Sequence, residues 1–181
     1  MNDLNRWLLV PAIILPAAAS APAFAVQYLS IEQARGVLFP SATQFDSRTL
    51  TLTDAMRSTI EAQSGVRVRN TTIKAWQARL NDQSLGWVVL DEVYGKHEFI
   101  TYAVAIGADG AVKGIEILDY RETHGGEVQN PKWRAQFIGK KAADPLKLDE
   151  DIKNISGATL SCRHITDGVK RLLVTWEVGL K

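Results

Sequence analysis

Three hydroxyl side chains and a glycine cluster in the segment Ser156-Gly157-Ala158-Thr159-Leu160-Ser161, immediately before the most regular apolar pattern of the chain. That pattern predicts that the segment stands at a helix N-terminus. Free backbone N–H groups and the positive end of the helix dipole make such a place an anion site suited to phosphate. An ordinary cap by Ser156 or Thr159 is the alternative, and composition alone favours it because Ser and Thr caps are common.

The helix that positions this segment is the clearest element of the sequence. Its apolar residues recur at i, i+4, i+7, i+8 and i+11, which gives one continuous apolar face. These residues are Ile165, Val169, Leu172, Leu173 and Trp176. The pattern predicts a long final helix that packs against a core.

Upstream of this helix, β-rich runs predict an antiparallel meander of three to four strands. The runs cover residues 72–80, 86–94, 98–106 and 111–120, and turn residues separate them. The Asp109-Gly110 pair is a strong hairpin signal. Two short helices precede the strands, at residues 30–39, with Ser30 and Gln33 as a capping box, and at residues 53–63. Helices, then strands, then loops and a final helix predict an α+β fold.

Two motifs carry a resemblance to a known family. The segment at 156–161 is similar to the S-G-A-T-x-[S/T] signature of the FMN-binding domain family, which includes flavin-bearing subunits of sodium-translocating quinone reductases and of related ferredoxin-linked complexes. Glu122-Thr123-His124-Gly125-Gly126 resembles the family's E-T-x-G loop, which lies near the flavin. A further stretch looks like its W-x-x-x-[FW]-x-G-K segment, through Trp133, Phe137, Gly139 and Lys140.

The resemblance implies an antiparallel sheet packed with helices and FMN as the cofactor. It implies that a flavin transferase moves FMN from FAD to the hydroxyl of Thr159 and forms a phosphoester. The other implied flavin-contacting residues are Ser156, Gly157, Ala158, Leu160, Ser161, Glu122, Thr123, His124, Gly125, Gly126 and Trp133.

One position departs from the family pattern. The family usually has an acidic residue six positions before the acceptor threonine, and this chain has Lys153 there. Asp149, Glu150 and Asp151 lie just upstream as possible substitutes. The departure bears on covalent attachment and not on flavin binding itself.

The first 25 residues predict a secretory signal peptide. An apolar run covers residues 7–19, and Ala23-Phe24-Ala25 has the small residues of a cleavage site. An uncleaved membrane anchor is the alternative, because residues 7–26 reach about the ~20 residues of a spanning helix. We therefore expect a single domain at 26–181 that is periplasmic, or membrane-anchored if the leader is retained.

Composition and missing motifs limit the function. The net charge of +1 argues against nucleic-acid binding, and no histidine pair has metal-ligand spacing. No G-x-G-x-x-G follows a strand, so we do not expect the chain to oxidise NADH itself. The lone Cys162 is interpreted as a packed small residue, with a reactive thiol at the helix N-terminus as the alternative.

The resemblance then implies an electron carrier without catalytic residues of its own. Its partners would be a membrane redox complex and an exported cytochrome or reductase. Two alternatives stay open. One is a stand-alone flavin-dependent reductase that uses His124 or Glu122 as proton donor, and the other is a non-redox exported binding module.

Overall fold

A computed structural model describes residues 26–27 and 29–181, so the predictions for residues 1–25 lie outside the described residues. Six strands and four α-helices are present in this part of the chain. In chain order they are β1 Val26–Gln27, α1 Ile31–Leu38, β2 Gln44–Thr51, α2 Asp54–Ser64, β3 Thr72–Leu80, β4 Gln83–Tyr94, β5 Phe99–Gly107, β6 Val112–Tyr120, α3 Pro131–Arg134 and α4 Thr159–Gly179. Single 3₁₀ turns at Gly126–Gln129 and Ala135–Phe137 flank α3.

The strands form one antiparallel sheet in the order β1-β6-β5-β4-β3-β2. The predicted meander is β3 to β6, and the α+β class is confirmed. The sequence interpretation omitted β2 because its side chains are mostly exposed and only Leu50 is buried, so no apolar alternation marks it. The predicted turn at residues 81–84 is shorter in the structure, since Gln83 and Ser84 already pair with β3.

Helix α4 covers one face of the sheet with the predicted apolar stripe. Ile165, Val169 and Leu172 are fully buried in the main core, and α2 packs beside them. On the other face α1 seals a smaller cluster around the buried Ala34. The helix begins as predicted, because Ser30 and Gln33 bond reciprocally in a capping box.

A buried polar network fixes α4 against the strands. The Asp91 carboxylate on β4 accepts hydrogen bonds from the Arg171 guanidinium (2.6 Å) and from the Tyr102 hydroxyl (2.5 Å). All three side chains are buried. Burial raises the pKa of Asp91, against the opposing effect of Arg171. Removing one partner of such a network would leave a buried charge without its counter-charge, which is strongly destabilising. The network therefore holds α4 in one position on the sheet.

Residues 121–158 contain little regular structure, yet they are tied to the sheet and to themselves. The backbone of Lys140 and Gly139 bonds to Val112 at the start of β6. The Asp151 carboxylate accepts from the backbone N–H groups of Leu146 and Lys147 and closes a turn. These hydrogen bonds hold the segment that leads to the start of α4 in position. Among the described residues, no helix combines the length and apolar character needed to cross a membrane.

Candidate functional site

A cleft of about 910 Å³ opens where three chain segments meet. The first is the β4–β5 turn at residues 96–97, the second is the loop at 122–127, and the third is the start of α4 at 157–161. The two sequence motifs are therefore adjacent in space although 29 residues, 127–155, separate them. The β4–β5 turn is a third wall that the motifs did not indicate.

The N-terminus of α4 is bare. Its N-cap is Ala158, and no side chain bonds to the first N–H groups of the helix. The backbone N–H groups of Thr159, Leu160 and Ser161 have no acceptor among the described residues. An ordinary Ser156 or Thr159 cap is thus not what the chain forms. The first turn keeps the unsatisfied donors and positive dipole end that favour an anion.

The Thr159 hydroxyl stands at this bare end in a partly buried position. Its Oγ1 accepts a hydrogen bond from Asn154 Nδ2 at 3.0 Å. Gly157 precedes it with a φ of +88°, a left-handed conformation that side chains rarely adopt. The glycine of the motif is therefore required by the turn that leads into the helix.

Tyr120 links the loop at 122–127 to helix α4 through its hydroxyl group. Its hydroxyl donates to the His124 carbonyl at 2.5 Å and lies 3.2 Å from Ser161 Oγ on α4. Gly125 has a φ of +88°, and a Cβ there would stand 2.7 Å from the Tyr120 hydroxyl and 3.4 Å from Ala158. A side chain at Gly125 would push the two walls of the cleft apart.

Glu122 organises the third wall. Its carboxylate accepts from the backbone N–H groups of Lys96, His97 (2.6 Å) and Glu98 (3.1 Å). Partial desolvation would raise the pKa of Glu122, but these N–H bonds outweigh it and hold the pKa below the ordinary value. Glu122 is therefore an ionised structural acceptor at neutral pH and is not suited to donate a proton.

The cleft wall carries charges of both signs, with Lys96 as its lysine and Glu122 and Glu127 as its carboxylates. Lys96, His97 and His124 are exposed at its rim. Lys96 makes no ion pair with a described residue, and the neighbouring Glu122 charge is already met by backbone N–H groups. The ammonium group is thus free to meet a ligand. Within the described ranges no cluster of His, Cys, Asp or Glu could hold a metal ion.

Trp133 and Ser156, which were predicted as flavin contacts, do not line the cleft, and neither does Cys162. Trp133 is only 5% exposed, donates its indole N–H to the Lys153 carbonyl at 2.8 Å and packs edge-on against Phe137. It supports the linker and does not line the cleft. Ser156 is exposed at the turn before the cleft. Cys162 is buried and burial raises the pKa of its thiol, which agrees with the packed interpretation.

Of the acidic residues upstream of Thr159, Asp151 and Glu150 make other contacts, and Asp149 is exposed. Asp151 is bound to backbone N–H groups and to Lys140 Nζ at 2.9 Å. Glu150 pairs with Lys147 at 3.3 Å. Lys153 has an exposed side chain, while its backbone N–H and carbonyl are held by Gln136 and Trp133.

Sequence reasoning did not select Asn154, Tyr120, Lys96 or His97 for this site. Tyr120 lies two residues before the E-T-x-G loop and Asn154 two residues before the S-G-A-T motif, so proximity along the chain was an available signal for both. Nothing in the sequence marked the 96–97 turn, because only the folded sheet brings it to the cleft.

Comparison with known proteins shows a family-model match over the part of the chain that forms this cleft. The family described as "FMN-binding domain" matches residues 95–174, a range that includes all three walls of the cleft. The resemblance inferred from the motifs is thereby confirmed, and the cofactor of this domain is FMN. The donors at the start of α4, the free Lys96 and the cleft volume fit a phosphate-bearing ligand of that size.

Curated relatives align with most of the described residues at 24–32% identity. One subunit of the Na(+)-translocating NADH-quinone reductase is 32% identical over 132 residues in Yersinia pestis, covering 62% of this chain and 48% of that protein. The same subunit in Pasteurella multocida is 30% identical over 156 residues, covering 75% and 60%. In Acetobacterium woodii, one subunit of the Na(+)-translocating ferredoxin:NAD(+) oxidoreductase complex is 24% identical over 154 residues, covering 80% and 72%.

The chain spans roughly half the length of the two quinone reductase subunits it matches here. The fold has a counterpart in the crystal structure of NqrC from Shewanella oneidensis. That structure aligns with a TM-score of 0.56 and 16% identity, over 82% of this chain and 87% of the other. The likeness establishes the shared α+β architecture.

Proposed function

We propose that this FMN-binding protein is an exported electron carrier whose FMN is attached through a phosphoester to Thr159. In this proposal residues 1–25 are a signal peptide and residues 26–181 are the periplasmic domain, or a membrane-anchored one if the leader is retained. A flavin transferase supplies the FMN. The electron partners are a membrane redox complex and an exported cytochrome or reductase.

The observation that carries the proposal is the bare start of α4 beside a hydroxyl. Three backbone N–H groups without acceptors converge where the Thr159 hydroxyl stands, and the cap that would normally satisfy them is missing. These N–H groups would hold the FMN phosphate with help from Lys96. A protein that used the segment only to begin a helix would gain stability from a cap that this chain lacks.

The rest of the domain shields and orients the cofactor. Bound FMN supplies a centre that exchanges one or two electrons. The loop at 122–127 and the 96–97 turn form the walls beside it, and Glu122 and Tyr120 hold those walls in place. A covalent link prevents loss of the cofactor in a compartment where flavin is not resupplied.

The partner proposal rests on the relatives. Their names place them in Na(+)-translocating quinone reductase and ferredoxin:NAD(+) oxidoreductase complexes. This chain has no nicotinamide fingerprint, so we expect its flavin to receive electrons from another protein. The isolated FMN-loaded protein should not oxidise NADH, and steady NADH oxidation would contradict the carrier assignment.

The deciding experiment is the intact mass of the full chain after co-expression with a flavin transferase. We expect a mass increase of one FMN in phosphoester linkage, with a yellow protein. Thr159→Ala should remove the increase completely. Thr59→Ala is the matched control, because it removes an exposed hydroxyl on α2 far from the cleft.

Two outcomes would contradict the proposal. An unmodified mass and a colourless wild-type protein would exclude covalent flavin attachment. An adduct that persists in Thr159→Ala would place the attachment at another residue. Of the alternatives, the stand-alone reductase has lost Glu122 as its proton donor, because the pKa of that carboxyl is lowered by backbone N–H groups.

A further inference from the structure

Asn154 contacts the hydroxyl proposed to receive the flavin. Its Nδ2 lies 3.0 Å from Thr159 Oγ1, and no other side chain of the described residues bonds to that oxygen. The two residues are five positions apart, across the turn that contains Gly157. The contact therefore sets the direction in which the hydroxyl points at the start of α4.

The other end of the same amide has no partner. Asn154 Oδ1 is buried and accepts no hydrogen bond from a described residue. Leaving a buried acceptor unpaired costs about 1–3 kcal/mol, so such an atom calls for an explanation. The two ends of an amide are distinguished only by their hydrogen-bond partners. A rotated amide would present Oδ1 to the threonine hydroxyl.

The two ends suit two chemical states of Thr159. A free hydroxyl carries a hydrogen and can donate it to an amide oxygen. Once the oxygen is esterified it has no hydrogen and can only accept, as it does in the observed geometry. By rotating its amide group, Asn154 can therefore accept a hydrogen bond from the free hydroxyl before attachment and donate one to the ester oxygen after it.

No acidic side chain competes for this role among the described residues. Lys153 occupies the position where the resemblance leads us to expect an acid, and its exposed side chain does not line the cleft. Asp151, the nearest upstream carboxylate, is held by Lys140 and by backbone N–H groups. Asn154 is the side chain that reaches the hydroxyl.

We propose that Asn154 is a positioning residue for flavin attachment, which orients Thr159 Oγ1 for the transfer and then holds the ester oxygen. This inference rests on the proposed phosphoester at Thr159. In the transfer, a bond forms between Oγ1 and the phosphorus of the FMN moiety of FAD. The diphosphate P–O bond breaks, AMP leaves, and the hydroxyl proton passes to a base of the transferase. No atom is oxidised or reduced.

The test measures the initial rate of attachment on the purified full chain with FAD and a flavin transferase, followed by intact mass. Asn154→Ala and Asn154→Leu should slow attachment at least about tenfold, because misplacing a reacting atom costs on this order or more. Asn154→Asp keeps an acceptor and should retain most of the rate at neutral pH. Asn70→Ala, an exposed asparagine at the start of β3, is the matched control.

A pH profile separates positioning from a structural role. Relative to wild type at each pH, Asn154→Asp should lose rate as its carboxylate is protonated, near or above the ordinary pKa of about 3.9, because the ionised carboxylate is a stronger acceptor for the threonine hydroxyl than the neutral carboxyl. A residue with only a structural role would change the melting temperature and leave this profile unaltered. Melting curves of all variants therefore accompany the rates.

The outcomes distinguish this inference from the proposed function. If wild type acquires no FMN, the proposed attachment itself fails. If wild type is modified and folded Asn154→Ala or Asn154→Leu reacts at the wild-type rate, the role of Asn154 is overturned. It is equally overturned if folded Asn154→Asp is as slow as Asn154→Leu at every pH.

Discussion

At the scale of single residues, the cleft relies on backbone N–H groups more than on side-chain charge. Three such groups are free at the start of α4, and three others bind Glu122 at the opposite wall. Lys96 is the side-chain cation placed to assist. Because backbone donors are fixed by the fold, the anion preference of the site is set by geometry and depends little on ionisation near neutral pH.

Lys153 is the residue whose replacement should improve flavin attachment. We expect Lys153→Asp to raise the initial rate severalfold, because it restores the acid that the family resemblance places there. The exposed side chain is accessible to a transferase, and the backbone is fixed by Trp133 and Gln136. Lys132→Asp, an exposed charge reversal on α3, is the control. Equal rates for Lys153→Asp and wild type in the mass assay would refute this expectation.

Glu122 should give a pH-dependent contribution to stability. Its pKa in the folded protein lies below the ordinary carboxyl value, so the contribution is present above the unfolded pKa and is lost as pH falls through the folded pKa. Glu122→Gln should cost about 1 kcal/mol at pH 7, since an amide oxygen accepts more weakly than a carboxylate. Urea unfolding at several pH values measures the difference, which should vanish in acid. A difference that persists at the lowest pH would contradict the assignment.

At the scale of elements, the sequence predicted what apolar periodicity controls. Strands β3 to β6 were found because apolar, β-prone runs bounded by turn residues mark them, and helix α4 because its buried side chains repeat at the helical period. Strand β2 was missed because its partner strand, and not its own apolar pattern, makes it a strand. The hydrogen bonding within the 121–158 region could not be predicted for a related reason, since bonds such as Trp133 to Lys153 join residues 20 apart.

The residues of the candidate site likewise fall into those that local motifs indicate and those that only the folded structure brings together. Local motifs with their family resemblance located Thr159 and the 122–126 loop. Tyr120, Asn154 and Lys96 act through contacts that exist only once the sheet and α4 have met. Trp133 is buried and does not line the cleft, and an aromatic residue in a motif does not by itself reveal whether it faces a ligand or the core.

The contact between the loop at 122–127 and α4 should be sensitive to substitution of Gly125. We expect Gly125→Ala to cost about 1–3 kcal/mol, because alanine is strained at a φ of +88° and its Cβ would crowd the Tyr120 hydroxyl at 2.7 Å. FMN uptake should fall with it, since the cleft walls separate. Thermal melting and the mass assay measure the two effects.

Gly36→Ala is the matched control for that change. Gly36 lies in α1, where a Cβ would have no atom within 4 Å and the backbone has no positive φ. There alanine should stabilise the helix by up to about 1 kcal/mol. If Gly125→Ala behaved like Gly36→Ala, the loop would not depend on the left-handed turn.

At the scale of the whole molecule, the cleft lies at the N-terminal end of the helix that covers the main core. Helix α4 packs on β4 and β5 and against α2, while its first turn faces the end of β6 and the β4–β5 turn. The Asp91–Arg171 pair locks the helix to the sheet. The flavin site therefore depends on the same packing that stabilises the domain, and the two should be lost together.

This dependence predicts that residues 26–181, expressed without the first 25 residues, fold as one cooperative unit and acquire FMN. A domain of this size buries roughly 68–70% of its unfolded surface, which suffices without disulfides. The segment must begin at 26 because β1 pairs with Asp119 and Tyr120 of β6. In urea, far-UV circular dichroism, tryptophan fluorescence and flavin fluorescence should report coincident transitions, with FMN-free Thr159→Ala as the control for the flavin signal. A flavin transition well before the loss of helix would show instead that the cleft opens independently of the core, and insolubility would show that residues 1–25 take part in folding.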